Sequence, residues 1–519
     1  YVCILSFSPS LGDREDFTYA VSDASMSDLQ SYELSTEMIQ GDTWSLPDEE
    51  LIEITQKIDS SSAPLGNILN DMFAGAQTGA DEILLRGEPI KGEEEIFVPF
   101  LRSKDIRRYR TNRDAEYVIF PYDNEGDILS ESDLSEKYPK THEYLKSNQG
   151  DLENRIWHDQ GPVERSGEWY GLMYLPDPEK FISNKIVCPY LASKTVFAYD
   201  TDESIFGTGA GYGMEIPGSE DRQKSFVCLL NSTLVNTLFT QLSPEFQSGF
   251  KFNKTYVEKI PIPVDIQDDF DVPIDAVSRQ GGEARERSED SVGDLLSTLY
   301  DTMHEAHTTL HSFNLSLLDY LGISSEELPE SKAGDTLEDL QMPVSGVADT
   351  PLTKTTDEYK GLRVERVSFR NDSARLVLSV DVSYKVNEDD PRETDSWDRL
   401  AESEFETYEA MAFVGLSEPV ETLLREFVPA AVDKAEGFAG FRQGATKTNS
   451  PLDRLKDLTL PDIDEVQTGL EQYIEVRERA DELEEKIEKT DQLIDEIVYD
   501  LYELTDEEIE IVESAVQDD

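Results

Sequence analysis

The sequence predicts a mixed α/β (α+β) domain with a β-rich core, followed by a mainly helical C-terminal region with coiled-coil-like helices. Three patterns predict it. Between residues 93 and 263, short apolar runs alternate with turn residues: EIFVPF, YVIFPYD, KIVCPY, TVFAYD, FVCLLNSTL and KIPIP. That is the texture of a β-rich α/β domain. Val292, Leu296, Leu299, Met303, Ala306, Leu310, Phe313 and Leu317 recur at alternating steps of four and three, the period of a helix. From Tyr473 onward, Tyr473, Ala480, Ile487, Ile494 and Leu501 fill one heptad position, and Val476, Leu483, Thr490 and Ile497 fill another. Heptads of this kind predict a coiled-coil hairpin or a helix packed on the 292–321 helix, with dimerisation through it as the less favoured option.

The elements follow in order. YVCILSFS at 1–8 reads as a buried strand, and residues 9–50 offer it few neighbours, which suggests sheet missing upstream. Residues 47–73 read as a helix, a Ser-rich break and a second short helix. AGAQTGADEILL at 74–85 is a Gly-punctuated turn into a strand. Residues 264–291 look like a linker. The 292–321 helix is expected to end at Gly322. GLRVERVSF and ARLVLSVDVSYKV at 361–386 read as a β-hairpin turning at Arg370-Asn371-Asp372-Ser373, and residues 403–430 look helical. Five segments result: 1–46, a sheet end and connector; 47–265, the β-rich domain; 266–291, the linker; 292–460, a helix with the hairpin; and 461–519, the coiled-coil-like region.

Composition narrows the function. The 519 residues carry 46 Lys and Arg against 110 Asp and Glu, a net charge of −64 at pH 7. Hydrophobic residues make up 38%, enough for real cores, so wholesale disorder is excluded. The acids are spread along the chain, as in proteins of a salt-saturated cytoplasm such as that of halophilic archaea. The plainer alternative is an acidic protein that repels nucleic acid. No apolar run approaches the roughly 18 residues of a membrane span, so no membrane partner is expected. The cysteines Cys3, Cys188 and Cys228 lie far apart, which excludes a disulfide scaffold and a four-cysteine zinc site and makes the cytoplasm the default location.

Four motifs carry chemistry. RSKDIRRYRTNR at 102–113 holds six bases, Arg102, Lys104, Arg107, Arg108, Arg110 and Arg113, and one acid, Asp105. Against the background this inversion of sign suits a polyanion: Arg supplies planar donors for phosphate and guanine, and Tyr109 could stack. The competing reading is a set of exposed arginines paired with nearby acids. FGTGAGYGM at 206–214 alternates glycines, but MEIPGSED follows rather than a helix, so a flexible surface loop is favoured over a phosphate loop. FKFNKTYVEKIPIP at 250–263 interleaves Lys251, Phe252 and Lys254, fitting backbone contact with base stacking or, equally, an edge strand. His304, His307 and His311 share one helix side, where a solvated or interhelical flank outweighs a metal site.

In order, AGAQTGADEILL, FVPFLRSKDIRRY, YVIFPYD, YPKTHEYLKSNQGDLENR, EWYGL, KIVCPYL, FVCLLNSTL and KIPIP resemble the TaqI-like C-terminal specificity domain of adenine-specific DNA methyltransferases, over about residues 70–265. That family includes restriction–modification and phage-defence enzymes. The ending IDEIVYDLYELTDEEIEIVE and the opening YVCILSFS are similar to the C-terminus and last catalytic-sheet strand of these enzymes. The resemblance implies a double-stranded DNA partner, with Gln77 and Thr78 of the first motif joining the basic and aromatic residues in the interface. It also implies S-adenosylmethionine, bound outside this chain, because no Pro-Pro pair stands anywhere in the sequence and the family's catalytic Asn/Asp-Pro-Pro-Tyr/Phe is therefore missing. No catalytic, cofactor-binding or metal-binding residue is assigned. The expected function is the recognition region of such a methyltransferase, with the catalytic half upstream or on a separate subunit. The alternative is a non-enzymatic DNA-binding scaffold that recruits a methyltransferase or nuclease.

Overall fold

The computed structural model describes residues 16–22, 29–35, 49–112, 116–123, 125–243, 245–246, 249–266, 270, 272, 291–323, 333–342, 344–385 and 405–517. The opening strand, most of the linker and Arg113 lie outside these residues. The chain divides into two compact units, Tyr1–Thr309 with Glu484–Asp519, and Leu310–Leu483.

The first unit mixes helices with small sheets. Its central sheet orders Ala198–Asp200, Lys185–Pro189, Gly211–Glu215 and Asp71–Ala74, all antiparallel. A second sheet joins Ile205–Phe206, Phe97–Leu101, Tyr117–Ile119 and Leu85–Arg86, the first pair parallel. Lys185–Pro189 is buried throughout, because helices cover it. FVCLLNSTL, an apolar run in a strand-rich stretch, is helical. Ser219 Oγ accepts from Arg222 N and opens the helix Glu220–Leu230, and Ser232 Oγ accepts from Val235 N and opens Thr233–Leu242. These serine caps satisfy donors that a helix start leaves bare. The helix Val292–Ser312 contributes Val292, Leu296, Leu299, Tyr300 and Met303 to a core shared with Ile494, Ile497 and Val498 of the helix Ile463–Leu501 and with Tyr502 just beyond it. The C-terminal region is thus helical, and the packing of these two helices on one core is what the periods suggested.

The second unit is a four-stranded antiparallel sheet, ordered Gln341–Met342, Glu406–Phe413, Arg375–Lys385 and Lys360–Asp372, with the helix Glu418–Lys434 against it. The hairpin pairs Asp372 with Arg375, and Ser373 takes a φ of +57° in the turn.

Four expectations need correction. Residues 406–413 form a strand rather than a helix start, because their last four residues bury against the sheet. The second short helix near residue 65 is a single 3-10 turn between the strands Ser62–Pro64 and Asp71–Ala74. Strand pairing with Pro261–Pro263 and Gly211–Glu215 claims those flanks. The long helix stops at Ser312 and one further turn, Leu317–Tyr320, precedes Gly322 at φ +65°. Asn314 interrupts it by donating to Asp319 and accepting from Ser316 N. The presumed linker contributes Phe270, 2% exposed, to the first unit's core. Apart from these corrections, Asp16–Ser22 pairs with Leu29–Ser35 as an antiparallel hairpin within the stretch expected to offer few strand neighbours.

The central sheet buries one ion pair, Lys185 Nζ to Asp200 Oδ2 at 2.8 Å, with side chains 1% and 0% exposed. Asp200 also accepts from Ser204 N and Oγ, each at 2.9 Å. Removing the acid strands an ammonium whose remaining partners are carbonyls, whereas removing the lysine leaves a carboxylate still held by Ser204. Asp200→Ala should cost about 3–5 kcal/mol and Lys185→Met distinctly less, read by chemical denaturation.

Candidate nucleic-acid interface

Three of the motifs meet at one cleft of about 230 Å³. Its walls are residues 76–78 with Asp81, Phe100 with residues 102–103, and residues 207–210. Ala76 N donates to Phe206 O at 2.7 Å and Thr208 N to Ala76 O at 2.9 Å. This zips the QTG segment to the Gly-rich segment. A Cβ on Gly75 would stand 2.2 Å from Gly207 O, so the close approach requires glycine there.

Within the cleft, Thr208 Oγ1 donates to Gln77 Oε1 at 2.8 Å. The Gln77 amide nitrogen makes no bond among the described residues. Thr78, 2% exposed, donates its hydroxyl to Asp81, and its carbonyl accepts from Arg155 Nη1 at 2.6 Å. Arg102 forks onto Glu116 and lies 3.7 Å from Asp81. Its backbone is fixed in turn, since Arg102 N donates to Asp105 Oδ2 at 2.9 Å.

The basic segment continues as a tight hairpin, Ile106–Arg107 paired with Arg110–Thr111. Its tip points inward. Arg108 reaches both carboxylate oxygens of Asp491 at 2.9 and 3.0 Å and Asn231 O at 2.7 Å. Tyr109 sits at φ +64° with no exposed surface, stacked on His307 with ring centroids 5.8 Å apart. Its carbonyl accepts from His304 Nδ1 at 2.8 Å. Two histidines of the stripe therefore serve this packing, and among the described residues no group of three His, Cys, Asp or Glu could hold a metal. Lys104 and Arg107 are exposed, Arg110 is half-buried, and none of them forms an ion pair among the described residues.

The second basic segment divides likewise. Phe252 is fully buried. Lys251 Nζ lies 3.8 Å over the ring of Phe246, which is itself exposed. Lys254 pairs with Asp71 at 3.0 Å. Tyr109 and Phe252 thus offer a ligand no free surface, and Arg102, Arg108 and Lys254 are already paired. Gln77, Lys104, Arg107, Arg110 and Lys251 keep donors to spare.

One comparison with known families bears on this stretch. Residues 98–262 match the family model of the TaqI-like C-terminal specificity domain. The match covers well under half of the 519 residues and speaks for that stretch. It lies within the bounds where the motifs suggested it. Compared with curated proteins, the chain matches none.

The glycine run at 206–214 does not fit the cofactor loop that such enzymes use. The alternating glycines are no cofactor cradle and no flexible loop. Gly211–Glu215 is an inner strand of the central sheet, and a Cβ on Gly211 would meet Cys188 O at 2.1 Å. Sheet packing explains the glycine there.

Sequence reasoning missed Thr208, Glu116, Asp491 and Lys194. Thr208 lay in a segment set aside as a loop. Glu116 and Asp491 were single acids in an acidic chain, with nothing to mark them as partners. Lys194 is exposed close to Arg108, and as a solitary lysine it gave no local signal.

Titration reports on the buried tip. Burial raises the Asp495 carboxyl from its ordinary 3.8 to about 6, even though Thr233 N and Oγ1 donate to it at 2.7 and 2.6 Å. Burial, and then the Arg108 charge, lower His307 from 6.5 to about 4. Asp495 takes up its proton more readily when folded, which favours folding as pH falls through 6. His307 must stay neutral when folded, which disfavours folding as pH falls from 6.5 toward 4. The two oppose each other between them. Asp495→Asn keeps the bond from Thr233 N, reverses the one with Thr233 Oγ1 so that the amide donates, and removes the first contribution. It should be more stable than the wild type by about 2–3 kcal/mol near neutrality. The advantage should vanish near pH 4, as read from unfolding free energies across pH.

Proposed function

We propose that this chain is the sequence-specific DNA-recognition region of an adenine-specific DNA methyltransferase of a restriction–modification or phage-defence system. Methyl transfer from S-adenosylmethionine then belongs to a methyltransferase domain or subunit beyond the described residues. One observation carries this reading: a single cleft gathers the Gln77 amide and Arg102, and the chain leaving it exposes Lys104 and Arg107, with no ion pair among the described residues, in a protein of charge −64. An enzyme that works on a base must extrude it, and a separate module must hold the duplex meanwhile, with phosphate contacts positioning and base contacts specifying.

The residues divide that labour. Lys104, Arg107, Arg110 and Lys251 take phosphates. Gln77 suits an adenine edge, since its amide is free to donate and a carbonyl oxygen already bonded once can accept again. Arg102, held by Glu116, presents its remaining donors in a fixed direction. Four phosphate contacts give a salt slope of about −3.6, so affinity falls steeply with salt. At molar salt the Debye length is about 3 Å, which screens repulsion from the acidic surface and attraction to phosphates alike. Binding then leans on base edges, each worth roughly 1–3 kcal/mol.

Selection from a random duplex library by the full chain in concentrated KCl should enrich one sequence; recovery of unenriched duplex, or of none, would overturn the proposal. With the enriched duplex, Gln77→Ala should lose about 1–3 kcal/mol on that sequence and little on others. The double variant Lys104→Ala/Arg107→Ala should weaken all duplexes alike and flatten the salt slope by about two.

A further inference from the structure

A second two-residue hairpin tip stands beside the cleft, and none of the described residues covers its Ile156 side chain. Trp157 and Gln160 bond reciprocally, N to O, at 3.0 and 3.1 Å. Between them His158 and Asp159 both take left-handed φ, +48° and +62°. Paired positive φ is the signature of a type I′ turn, the narrowest reversal a chain makes. Asn-Gly is the usual filling, because other residues are strained there.

The tip carries apolar surface where this protein has little. Ile156 is 74% exposed, the most exposed of the large apolar side chains among the described residues. Trp157 is half-buried and meets the His158 imidazole edge-on at 5.2 Å. The root is fixed. Arg155, 7% exposed, spends its guanidinium on three main-chain carbonyls: Leu152 O at 2.8 Å, Thr78 O at 2.6 Å and Trp169 O at 2.7 Å. Thr78 is a wall of the cleft, so one buried side chain ties cleft and tip together.

Resting on the function proposed above, we infer that Ile156 and Trp157 form a wedge that enters the base stack of the bound duplex, while His158, Asp159 and Gln160 face base edges. The tip's shape selects this occupant. The turn is one bridge wide, Trp157 to Gln160, narrow enough to enter a groove of the duplex, and inserted apolar side chains unstack and kink a base step. A stable protein partner needs about 800 Å² on each side, far more than a two-residue tip presents. Asp159 suits a cytosine amino group rather than a phosphate.

The test uses the full chain and the duplex enriched by selection. A fluorescent adenine analogue, quenched when stacked, is placed at each position in turn. Binding of the wild type should raise fluorescence at one step, and Ile156→Ala should lose that rise while still retaining duplex. No retention of duplex by the wild type would sink the functional reading itself. Retention with no rise, or with an equal rise in Ile156→Ala, overturns the wedge and leaves recognition standing. Unchanged DNA behaviour with loss of a purified protein partner on Ile156→Ala also overturns it, in favour of protein docking.

Discussion

The bond between Arg108 and Asp491 sets the geometry on which the rest of the first unit relies. It joins residues 383 apart in sequence, at side-chain exposures of 19% and 26%. Removing two charges from water is expensive, and an apolar pair of equal volume often does as well. What the ion pair adds is direction. A guanidinium bonded to both carboxylate oxygens and to Asn231 O has one orientation, and it pulls Tyr109 into a left-handed conformation that an aromatic residue rarely adopts. With Tyr109 seated between Tyr300 and His307, the hairpin strands on either side are placed, and with them Lys104, Arg107 and Arg110. Surface cations owe their positions to a buried one.

The same bond explains why the basic segment was only half legible in the sequence. Its sign inversion was visible. Which arginines turn inward depends on Asp491, one acid among many, whose role appears only when the helix Ile463–Leu501 packs on the helix Val292–Ser312. Local pattern served well where one period ran long enough, as in those two helices and in the hairpin Lys360–Asp372 with Arg375–Lys385. It failed where two structures suit the same residues. FVCLLNSTL suits a buried strand or a buried helix, and the caps Ser219 and Ser232 settled it. ETYEAMAF at 406–413 was absorbed into the helical pattern that follows, although the sheet edge beside Arg375–Lys385 claims it.

The cleft shows a related limit. Its walls come from three segments spread between residues 76 and 210, and the Gly-rich one was read by the rule for phosphate loops. That rule asks about the element after the glycines. Here the answer is a strand rather than a helix, and the glycines serve close approach instead: Gly75 lets the two walls touch, and Gly211 lets an inner strand lie against Cys188 O. The glycines therefore mark how the cleft is built and say little about what fills it.

Two tight tips, Arg108-Tyr109 and His158-Asp159, have opposite destinations, and the difference is physical. Both use left-handed backbone, so neither is set by propensity. The first finds an acid, two histidines and an aromatic pocket, and both terminal nitrogens of its guanidinium are bonded within the fold. The second has its satisfied cation at the root, in Arg155, and sends its apolar side chains outward. A protein that buries its phenylalanines and leucines so consistently pays to hold Ile156 in solvent, with no packing gain to offset the strained turn beneath it. Strain kept at an exposed, rigidly rooted tip is consistent with a compensating contact made in the bound state. The tip's link to Thr78 places that contact next to the cleft proposed to read bases.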